Sequence, residues 1–466
     1  MKITTNQNNK LNSNVVKMLF FLLYISFSIG QEITLLDSTI FSDQLGDNLT
    51  ARITSVNENI HIVWHTSYPE YRLYYTHSLD GGLTWSEYSI ISIGSPCNFP
   101  QILAQSDTLH ITWREYGDYN WMVKYIRSTD NGFNWEEPIQ YSGVYSLGGP
   151  LFGSVSDKIY LLFQTSEFMN RKYLVKSFDR GSNWGEVDTI NFDISESTTS
   201  FGFNSMNLEN SNIHLVGSMN SAQTLGEGEI IYIGSSDDGM SFSSPTIISP
   251  IDGATSQKVV GKLDSELNLH TVWYDYQNSP NTLHGYILHR SLNYQGIWSS
   301  THVITNEPTG QLPSIDIDDN RISVIYSDIR DTGFTNNSQE IYYNSSSDNG
   351  ETWNDDIRIS FMETYNNIYP DISISNYLLY SIWSSTIVGN DYQIILKPGV
   401  IDGIKGDINQ DHQQNIFDII IYVDRILGHE NNIDNLYESW AVDLFEDNHI
   451  NIQDIIILLN MILNIQ

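Results

Sequence analysis

Cysteine is nearly absent from this 466-residue chain, because Cys97 is the only one. No disulfide can therefore form within the chain, and burial of a core must supply most of its stability. Basic residues are also scarce: 22 Lys and Arg stand against 56 Asp and Glu, which gives a formal net charge of −34. So acidic a chain repels phosphate backbones and anionic lipids, and we expect neither a nucleic acid nor a membrane surface as a partner.

Long hydrophobic runs are missing except near the N-terminus. Residues 18–29 form an apolar segment of 12 residues, preceded by three lysines and followed by Gly30. This is the pattern of a secretory signal peptide over residues 1–30. A membrane anchor is the alternative, but a spanning helix needs roughly 20 apolar residues. We therefore expect a secreted, extracellular protein with no membrane span in the mature chain.

A short turn motif recurs along the chain. Its first copy is Ser-Leu-Asp-Gly-Gly-Leu-Thr-Trp at residues 78–85, and we call each copy an Asp turn. The Asp side chain accepts backbone N–H bonds, a Gly supplies a positive φ, and the aromatic residue begins a buried strand. The other copies are residues 128–135, 177–184, 235–242 and 346–353, with a decayed copy at 291–298. Repetition of this kind indicates a repeat architecture.

An alternating apolar strand precedes every Asp turn, and a seventh copy of this strand has no turn after it. The second residues of the seven strands are His61, His110, Tyr160, His214, His270, Ser323 and Tyr380, with spacings of 49, 50, 54, 56, 53 and 57 residues. Because His recurs at this position in four copies, we interpret it as a packing residue. Each copy has one short strand before it and a Tyr-rich strand after it.

Four short strands per roughly 50 residues predict an all-β propeller of four-stranded blades. Seven blades are preferred, with six as the alternative if a divergent copy forms no blade. There are seven sets of first, second and third strands but only six fourth strands after them. The N-terminal segment 32–36 is available to complete the last blade, whose third strand is expected at residues 392–396. Such closure removes an exposed sheet edge, and the propeller is expected to span residues 31–397.

The Asp turns resemble the Asp-box (BNR) repeat of sialidases and related propellers, over about residues 31–397. The resemblance implies that the turns join third and fourth strands on the face away from the active site. It also implies a Phe/Tyr-Arg-Ile-Pro motif near the first blade, three arginines that bind the substrate carboxylate, and a Tyr-Glu pair. The nearest match is Ala-Arg-Ile-Thr at residues 51–54, and the chain has only eleven arginines. Sialidase activity is therefore not expected. The scaffold residues that the resemblance implies are Asp80, Asp130, Asp179, Asp237 and Asp348.

The opposite, front face of such a propeller carries the loops between second and third strands. Aromatic rings stack on the C–H faces of sugars, so the candidate substrate-binding residues are Tyr116, Tyr119 and Trp121. Glycoside hydrolysis needs two carboxyl groups at a set separation. The charged candidates for catalysis are Glu115, Asp118, Asp275, Asp328 and Arg330. For Asp328 and Arg330 we favour the alternative of a loop-closing ion pair.

After residue 397 the apolar period changes from two to helical, and two loops carry oxygen-bearing residues at regular positions. In EF-hand loops of twelve residues, positions 1, 3, 5, 9 and 12 supply side-chain ligands for Ca²⁺ and position 7 supplies a carbonyl. These positions are Asp407, Asn409, Asp411, Gln413, Asn415 and Asp418 in the first loop, and Asp443, Asp447, His449, Asn451 and Asp454 in the second, 36 residues later. Position 3 of the second loop is Phe445, so weaker binding is expected there. Helices are predicted at residues 416–427 and 452–463.

This duplicated loop and helix resembles a dockerin over about residues 404–464. We set the dockerin-like domain at residues 407–466 and a linker at residues 398–406. The resemblance implies a Ca²⁺ cofactor and a cohesin-type partner on a scaffold or cell surface. The sequence departs from the usual pattern, with His412 at position 6 of the first loop and Ile416-Phe417 at positions 10 and 11.

Two functional hypotheses stay open. One is a secreted glycoside hydrolase, or another enzyme of polysaccharide catabolism, that the dockerin tethers. The other is a non-catalytic propeller that binds glycan or protein and is displayed by the dockerin. The missing arginine motif favours the second hypothesis, whereas the association of dockerins with carbohydrate-active enzymes favours the first.

Overall fold

A computed structural model describes residues 33–41, 46–141, 149–164, 170–221, 228–277, 284–331, 338–360, 365–386, 391–427, 433–447 and 449–463. The predicted signal peptide at residues 1–30 lies outside these ranges. In the part of the chain so covered, no helix is long and apolar enough to cross a membrane.

The strands form seven antiparallel sheets, as predicted, and each sheet is one blade. Blade 1 consists of β3 (Gly46–Val56), β4 (Asn59–Pro69), β5 (Arg72–Ser78) and β6 (Ser89–Ile93), and blade 2 of β7 (Cys97–Gln105), β8 (Thr108–Gly117), β9 (Asn120–Ser128) and β10 (Ile139–Tyr141). Blade 3 consists of β11 (Leu151–Val155), β12 (Lys158–Gln164), β13 (Arg171–Ser177) and β14 (Asp188–Asn191), and blade 4 of β15 (Ser200–Glu209), β16 (Asn212–Asn220), β17 (Gly228–Ser235) and β18 (Thr246–Ile247).

Blades 5 to 7 follow the same strand order. Blade 5 consists of β19 (Ser256–Leu263), β20 (Leu269–Asp275), β21 (Tyr286–Leu292) and β22 (His302–Val303), and blade 6 of β23 (Gly310–Asp318), β24 (Arg321–Asp328), β25 (Glu340–Ser346) and β26 (Ile357–Arg358). Blade 7 consists of β27 (Asn367–Ser375), β28 (Leu378–Ser385) and β29 (Gln393–Ile401), and it is completed by β1 (Ile33–Leu35) and β2 (Thr39–Phe41). The first strand of each blade contacts the first strand of the next, and β27 contacts β3, so the seven blades form a closed ring.

The N-terminal strands close the last blade, as the strand count predicts. β1 pairs with the end of β29, with Ile33 opposite Ile401, and β2 pairs with the first half of β29, with Phe41 opposite Ile394. The pairing extends β29 beyond the expected third strand and through part of the expected linker at residues 398–406. Residues 398–401 are strand because β1 and β28 hydrogen-bond to them on both sides.

The hydrophobic core lies between neighbouring blades. Side chains of the second and third strands point alternately to the two faces of each blade, so every sheet is covered on both sides. The largest buried rings come from the second strands, where Trp64, Trp113, Trp273 and Trp383 occupy equivalent positions. Apolar burial between the blades therefore replaces the disulfides that the chain cannot form.

The Asp turns join third to fourth strands, so they lie on the back face of the ring. In the first turn Ser78 Oγ donates to Asp80 (2.7 Å), while the Gly82 and Thr84 amides donate to Ser78 Oγ (2.8 Å) and Asp80 (2.9 Å). The same bonds recur in the other four intact turns. In the fourth turn, hydrogen bonds from the side chain and backbone of Ser241 lower the pKa of Asp237 to about 2. The carboxylate of each of these Asp residues thus accepts hydrogen bonds from its own turn.

The turns also join neighbouring blades. Gly132 has φ +86°, and a Cβ there would lie 1.9 Å from the Tyr75 hydroxyl of the preceding blade. That hydroxyl lies 2.8 Å from His61 Nδ1 and donates to the carbonyl of Asn131 at 3.2 Å. Tyr125 approaches Gly181 in the same way. Glycine is required at these positions both for the left-handed backbone and for the ring packed against it.

The C-terminal module consists of α1 (Ile416–Leu427), α2 (Leu436–Val442) and α3 (Ile452–Ile462). The outer two helices were predicted. α2 was not, although Asn435 and Glu438 have the spacing of a capping box and the Asn435 side chain accepts the Glu438 amide. Tyr437 and Ala441 of α2 are buried in the core shared by blades 1 and 7.

The module rests on the back face beside the first Asp turn. A Cβ on Gly81 would lie 3.2 Å from the Leu436 amide nitrogen, and Tyr377 of blade 7 lies 2.8 Å from His412 Nε2 of the first loop. Blade 7 has no Asp turn of its own, because β29 continues directly into the module. The module therefore covers the place where a seventh turn would lie.

The buried histidines of the second strands predict acid sensitivity. Burial lowers the pKa of His61 and of His110 to about 3, whereas in the unfolded chain both titrate near 6.5. Below pH 6.5 the unfolded chain binds protons that the folded chain does not, so the free energy of unfolding decreases as the pH is lowered. Between pH 6.5 and 5 the two histidines together lower the free energy of unfolding by about 3 kcal/mol. Urea unfolding at pH 7, 6 and 5 should show this loss, and a His61→Asn, His110→Asn double variant should show a smaller one. An unchanged pH slope in that variant would contradict the assignment.

Candidate functional site

Five blades place the same β-bulge near the front end of the innermost strand. In each bulge two residues of the first strand lie opposite one aromatic residue of the second, as Phe99 and Pro100 lie opposite Trp113. The first bulge residue has a left-handed backbone although it is not glycine. These residues, which we call the front bulge ring, are Thr50 (φ 46°), Phe99 (52°), Lys258 (54°), Leu312 (52°) and Tyr369 (56°). Bulges re-aim side chains and are frequent next to active sites.

The bulge places its second residue in the core and leaves its first residue at the mouth of the ring. Ala51, Pro100, Val259, Pro313 and Pro370 are the buried second residues. We did not predict the front bulge ring from the sequence. Three of its members stand directly before a proline that lies inside the first strand of a blade. A proline within a strand is typical of a bulge, and this was the sequence signal from which the bulges could have been predicted.

The front loop of blade 2 carries a cluster of one arginine and three aromatic rings. The guanidinium carbon of Arg114 lies 4.1 Å from the Trp121 ring centroid and 5.0 Å from that of Phe99. Tyr116 meets Trp121 edge to face at 5.5 Å. We call Phe99, Arg114, Tyr116 and Trp121 the blade-2 cluster. The structure thus places Tyr116 and Trp121, two of the three predicted aromatic residues, in one cluster with the charged guanidinium of Arg114.

The third predicted aromatic residue lies at the tip of the same hairpin. Tyr119 and Asp118 form the two-residue turn between β8 and β9 and have φ values of +67° and +49°. Turns of this type favour Asn and Gly. The Tyr119 side chain is 92% exposed, so a large aromatic ring is held in solvent at a costly backbone position. Asp118 contributes the first left-handed residue of this turn.

A polar groove of about 370 Å³ lies on the front face between blades 4 and 5. Its walls come from the front ends of the first two strands of blade 4 and from the bulge of blade 5. The lining residues are Ser200, Asn204, Ser218, Met219, Asn220, Gly228, Thr255, Ser256, Gln257 and Lys258. A larger groove of about 420 Å³ lies at the outer edge of blades 3 and 4, beside the fourth Asp turn and away from the front bulge ring.

The predicted acidic residues of the front face are bound to neighbours. Glu115 forms an ion pair with Lys124 at 2.6 Å and accepts hydrogen bonds from Ser92 and Trp113. Burial acts to raise the pKa of Glu115, but the bonds from Lys124, Ser92 and Trp113 hold it below the ordinary value. Asp275 accepts a hydrogen bond from Ser256 Oγ at 2.5 Å, and burial raises its pKa.

Asp328 and Arg330 form the loop-closing pair that we favoured. The Arg330 guanidinium lies 2.8 Å from Asp328 Oδ2 and 2.5 Å from Asp356 Oδ2, and it stacks on the Tyr342 ring at 4.3 Å. Two carboxylates and an aromatic face therefore neutralise and cover this arginine. Sequence reasoning could not identify Asp356 as a partner, because it follows a different strand.

One further carboxyl group on this face was missed. Glu340 accepts hydrogen bonds from Ser360 Oγ and, at 3.2 Å, from Asn367 Nδ2, and burial raises its pKa to about 7. Glu229 takes the equivalent place in blade 4 with Ser249. Both glutamates stand six residues before the serine of an Asp turn, which was the signal that could have revealed them.

The two predicted calcium loops share one set of backbone hydrogen bonds. The position 1 carboxylates, Asp407 and Asp443, each accept the amide of position 5 at 3.1 Å. The position 12 carboxylates, Asp418 and Asp454, each accept the amides of positions 2, 3 and 9. The two segments therefore fold as equivalent loops.

Polar side chains converge within the first loop. The Asn409 and Asn415 amide nitrogens each lie 3.2 Å from Asp411 Oδ2, and Asp411 Oδ1 accepts the Gln413 amide. Rotation of either amide by half a turn would present its oxygen instead. In the second loop the Asn451 side chain lies 3.3 Å from the His449 carbonyl. Over the described ranges no three His, Cys, Asp or Glu side chains form a metal-binding group, so these loops would depend on amide and carbonyl oxygens as well.

Comparison with known proteins yields structural matches alone. No family model and no curated protein sequence matches the chain. A protein of unknown function from Dyadobacter fermentans is 12% identical with a TM-score of 0.51, and the match covers 79% of this chain and 99% of that one. An ulvan lyase of polysaccharide lyase family 25 is 11% identical with a TM-score of 0.52, over 77% of this chain and 95% of its own. A Trypanosoma rangeli sialidase is 12% identical with a TM-score of 0.45, over 78% and 59%. The first two matches show a shared propeller fold.

Proposed function

We propose that the chain is a secreted, carbohydrate-directed propeller whose front face binds a polysaccharide, and that its C-terminal module is a calcium-dependent dockerin. The blade-2 cluster carries the first part of the proposal. Trp121 stacks on the Arg114 guanidinium and contacts the half-exposed Tyr116 edge to face, and exposed Tyr119 stands at the tip of the same hairpin. Aromatic faces and convergent polar groups are what sugar binding requires. The ulvan lyase that shares the fold supports this substrate class.

Binding without turnover is the mode that the front face supports best. Hydrolysis needs two carboxyl groups free to act on either side of the glycosidic bond. Glu115 is paired with Lys124, Asp275 accepts from Ser256, and Asp328 is paired with Arg330. These bonds occupy the acids that a hydrolase would use.

Catalysis is the second candidate, and one residue favours it. Glu340 has its pKa raised to about 7 by burial, which is the value expected of a general acid at neutral pH. A glycoside hydrolase would require a second carboxylate near it. Release of new reducing ends from a polysaccharide, lost in a Glu340→Gln variant, would establish catalysis over binding alone.

The Tyr119→Ala substitution should weaken polysaccharide binding about 3- to 10-fold, because one stacking ring contributes about 0.5 to 1.5 kcal/mol. Affinity electrophoresis in gels that contain ulvan, xylan, laminarin or polygalacturonate measures the effect, with reducing ends assayed on the same polymers. Tyr294→Ala is the matched control, since Tyr294 is 73% exposed in the decayed turn of the back face. If no polysaccharide retards the native protein, or if both variants behave alike, the front face is not the binding surface.

The dockerin proposal is supported by buried charge in the two loops. Asp407, Asp418 and Asp454 are buried, and acceptance of backbone amides leaves their negative charge unneutralised. Burial of carboxylates is costly without a compensating cation, and Ca²⁺ is the dication that such loops bind. Asp407, Asn409, Asp411, Gln413, Asn415 and Asp418 would hold the ion in the first loop. The second loop would bind it more weakly through Asp443, Asp447, His449, Asn451 and Asp454.

The partner proposal is supported by two apolar stripes on the module. Residues at the first, fifth, eighth and twelfth positions of α1 are exposed and lie on one helix face. The residues 36 positions later form the same exposed stripe on α3, and its last member directly follows that helix. The stripes consist of Ile416, Ile420, Val423 and Leu427, and of Ile452, Ile456, Leu459 and Leu463. Because α2 packs on the propeller, both stripes stay exposed. Exposed apolar stripes mark binding surfaces, and we propose a cohesin-type domain as the occupant.

Chelation with EGTA should reduce the helical circular dichroism of the full chain, because the loops anchor the N-termini of α1 and α3. Asp418→Asn should weaken calcium binding about tenfold or more in calorimetry, since it removes the charge at position 12. Asp424→Asn is the control, because Asp424 lies on an exposed part of α1 outside the loop.

An unchanged dichroism spectrum after chelation would contradict the calcium proposal. The partner proposal is tested separately with a panel of immobilised cohesin domains. Retention in calcium that is lost in EGTA, and also lost in an Ile420→Asp, Ile456→Asp variant, is the expected result. Retention that the variant does not alter would exclude the apolar stripes as the contact.

A further inference from the structure

We propose that the polar groove between blades 4 and 5 binds an acidic sugar unit and that Lys258 contacts its carboxylate or sulfate group. This inference rests on the carbohydrate-directed function proposed above. It adds a substrate class and a specificity-determining residue to it.

The groove combines one cation with neutral hydrogen-bonding groups. Among the described residues that line it, none carries a carboxylate and Lys258 is the one cation. Hydroxyl and amide groups such as those of Ser200, Asn204, Asn220 and Gln257 can donate to and accept from sugar hydroxyls. The volume of about 370 Å³ lies within the range of small-molecule sites. The lining therefore fits a sugar that carries one negative group.

The carboxylate opposite Ser256 in the blade 5 sheet is bound to other groups. Asp275 lies behind Ser256, and its two oxygens accept hydrogen bonds from Ser256 Oγ at 2.5 Å and from the Gln277 amide at 2.8 Å. Among the ion pairs that join described residues, none includes Lys258. By contrast Lys262, four residues along the same strand, lies 2.6 Å from Asp316 Oδ1. In a chain with a net charge of −34, a basic residue in a groove whose described lining residues include no acid is a distinctive feature.

The backbone directs the Lys258 side chain toward the groove. Lys258 is the first residue of the blade 5 bulge, with φ +54°, and the second residue, Val259, is buried opposite Trp273. Asn204, the extra residue of the blade 4 bulge, lines the same groove. Lys258 is the one basic member of the front bulge ring. Glycine would adopt this backbone with less strain, so the lysine is retained at a cost to stability.

An ammonium group in this setting favours an anionic ligand over a neutral one. A charge-assisted hydrogen bond is stronger than a neutral one, and a point charge accepts either a carboxylate or a sulfate. A neutral sugar in the same position would desolvate the ammonium without giving it an anionic partner. We therefore expect the groove to distinguish acidic from neutral polymers by about tenfold or more.

The test compares matched polymers on the full chain at constant ionic strength. Polygalacturonate is compared with its carboxyl-reduced form, and dextran sulfate with dextran, which separates carboxylate from sulfate recognition. Lys258→Gly should abolish the preference for the acidic polymer while the thermal midpoint stays equal or rises, because glycine relieves the left-handed backbone. A lower midpoint in Lys258→Gly would show that Lys258 supports the fold and would contradict the inference.

Lys176→Ala is the matched control, since it removes one positive charge at the outer edge of blade 3, where Lys176 pairs with Asp188. The preference should survive in this variant. Equal binding of acidic and neutral polymers by the native protein, a preference that persists in Lys258→Gly, or an equal loss in Lys176→Ala would overturn the inference. The first of these results leaves the proposed carbohydrate binding intact, whereas failure to bind any polysaccharide overturns both.

Discussion

Closure of the ring is the constraint on which the rest of the structure depends. Each blade covers its neighbour, so a blade without its outer strand would expose both a sheet edge and the apolar face of the adjoining blade. β1 and β2 supply that strand by pairing with β29. The two ends of the propeller are therefore held in one sheet, and the chain is closed without any disulfide.

The same junction explains the position of the C-terminal module. β29 is paired on both sides through Ile401, which leaves a short connection to the first loop. α2 then packs into the core of blades 1 and 7 beside the first Asp turn. One helix is used for docking, so the apolar stripes of α1 and α3 remain exposed. The module in this way extends the ring and leaves two apolar stripes exposed.

The two faces of the propeller differ in how far the repeat is preserved. On the back face the Asp carboxylate of each intact turn is hydrogen-bonded within that turn. The glycines of the second and third turns, Gly132 and Gly181, also pack against a tyrosine of the preceding blade. On the front face the bulges place large or charged side chains in the left-handed region at the mouth of the ring. Repetition produced both features, but the back turns keep their sequence, whereas the front bulge ring varies from Thr to Phe, Lys, Leu and Tyr. The front bulge ring thus combines a repeated backbone with a different side chain in each blade.

The amino-acid sequence by itself determined the four-stranded blade repeat, with seven blades favoured over six, the strand that closes the ring and the two outer helices of the module. These follow from short-range periodicity and from counting strands, which survive without knowledge of distant contacts. Only the tertiary structure decided that Asp356 joins Asp328 in neutralising Arg330, that Lys258 stands among described groove residues that include no acid, and that α2 docks on the first Asp turn. The first feature depends on residues that are distant in sequence but lie in one blade. The other two depend on neighbouring blades or on the C-terminal module and arise only in the assembled ring.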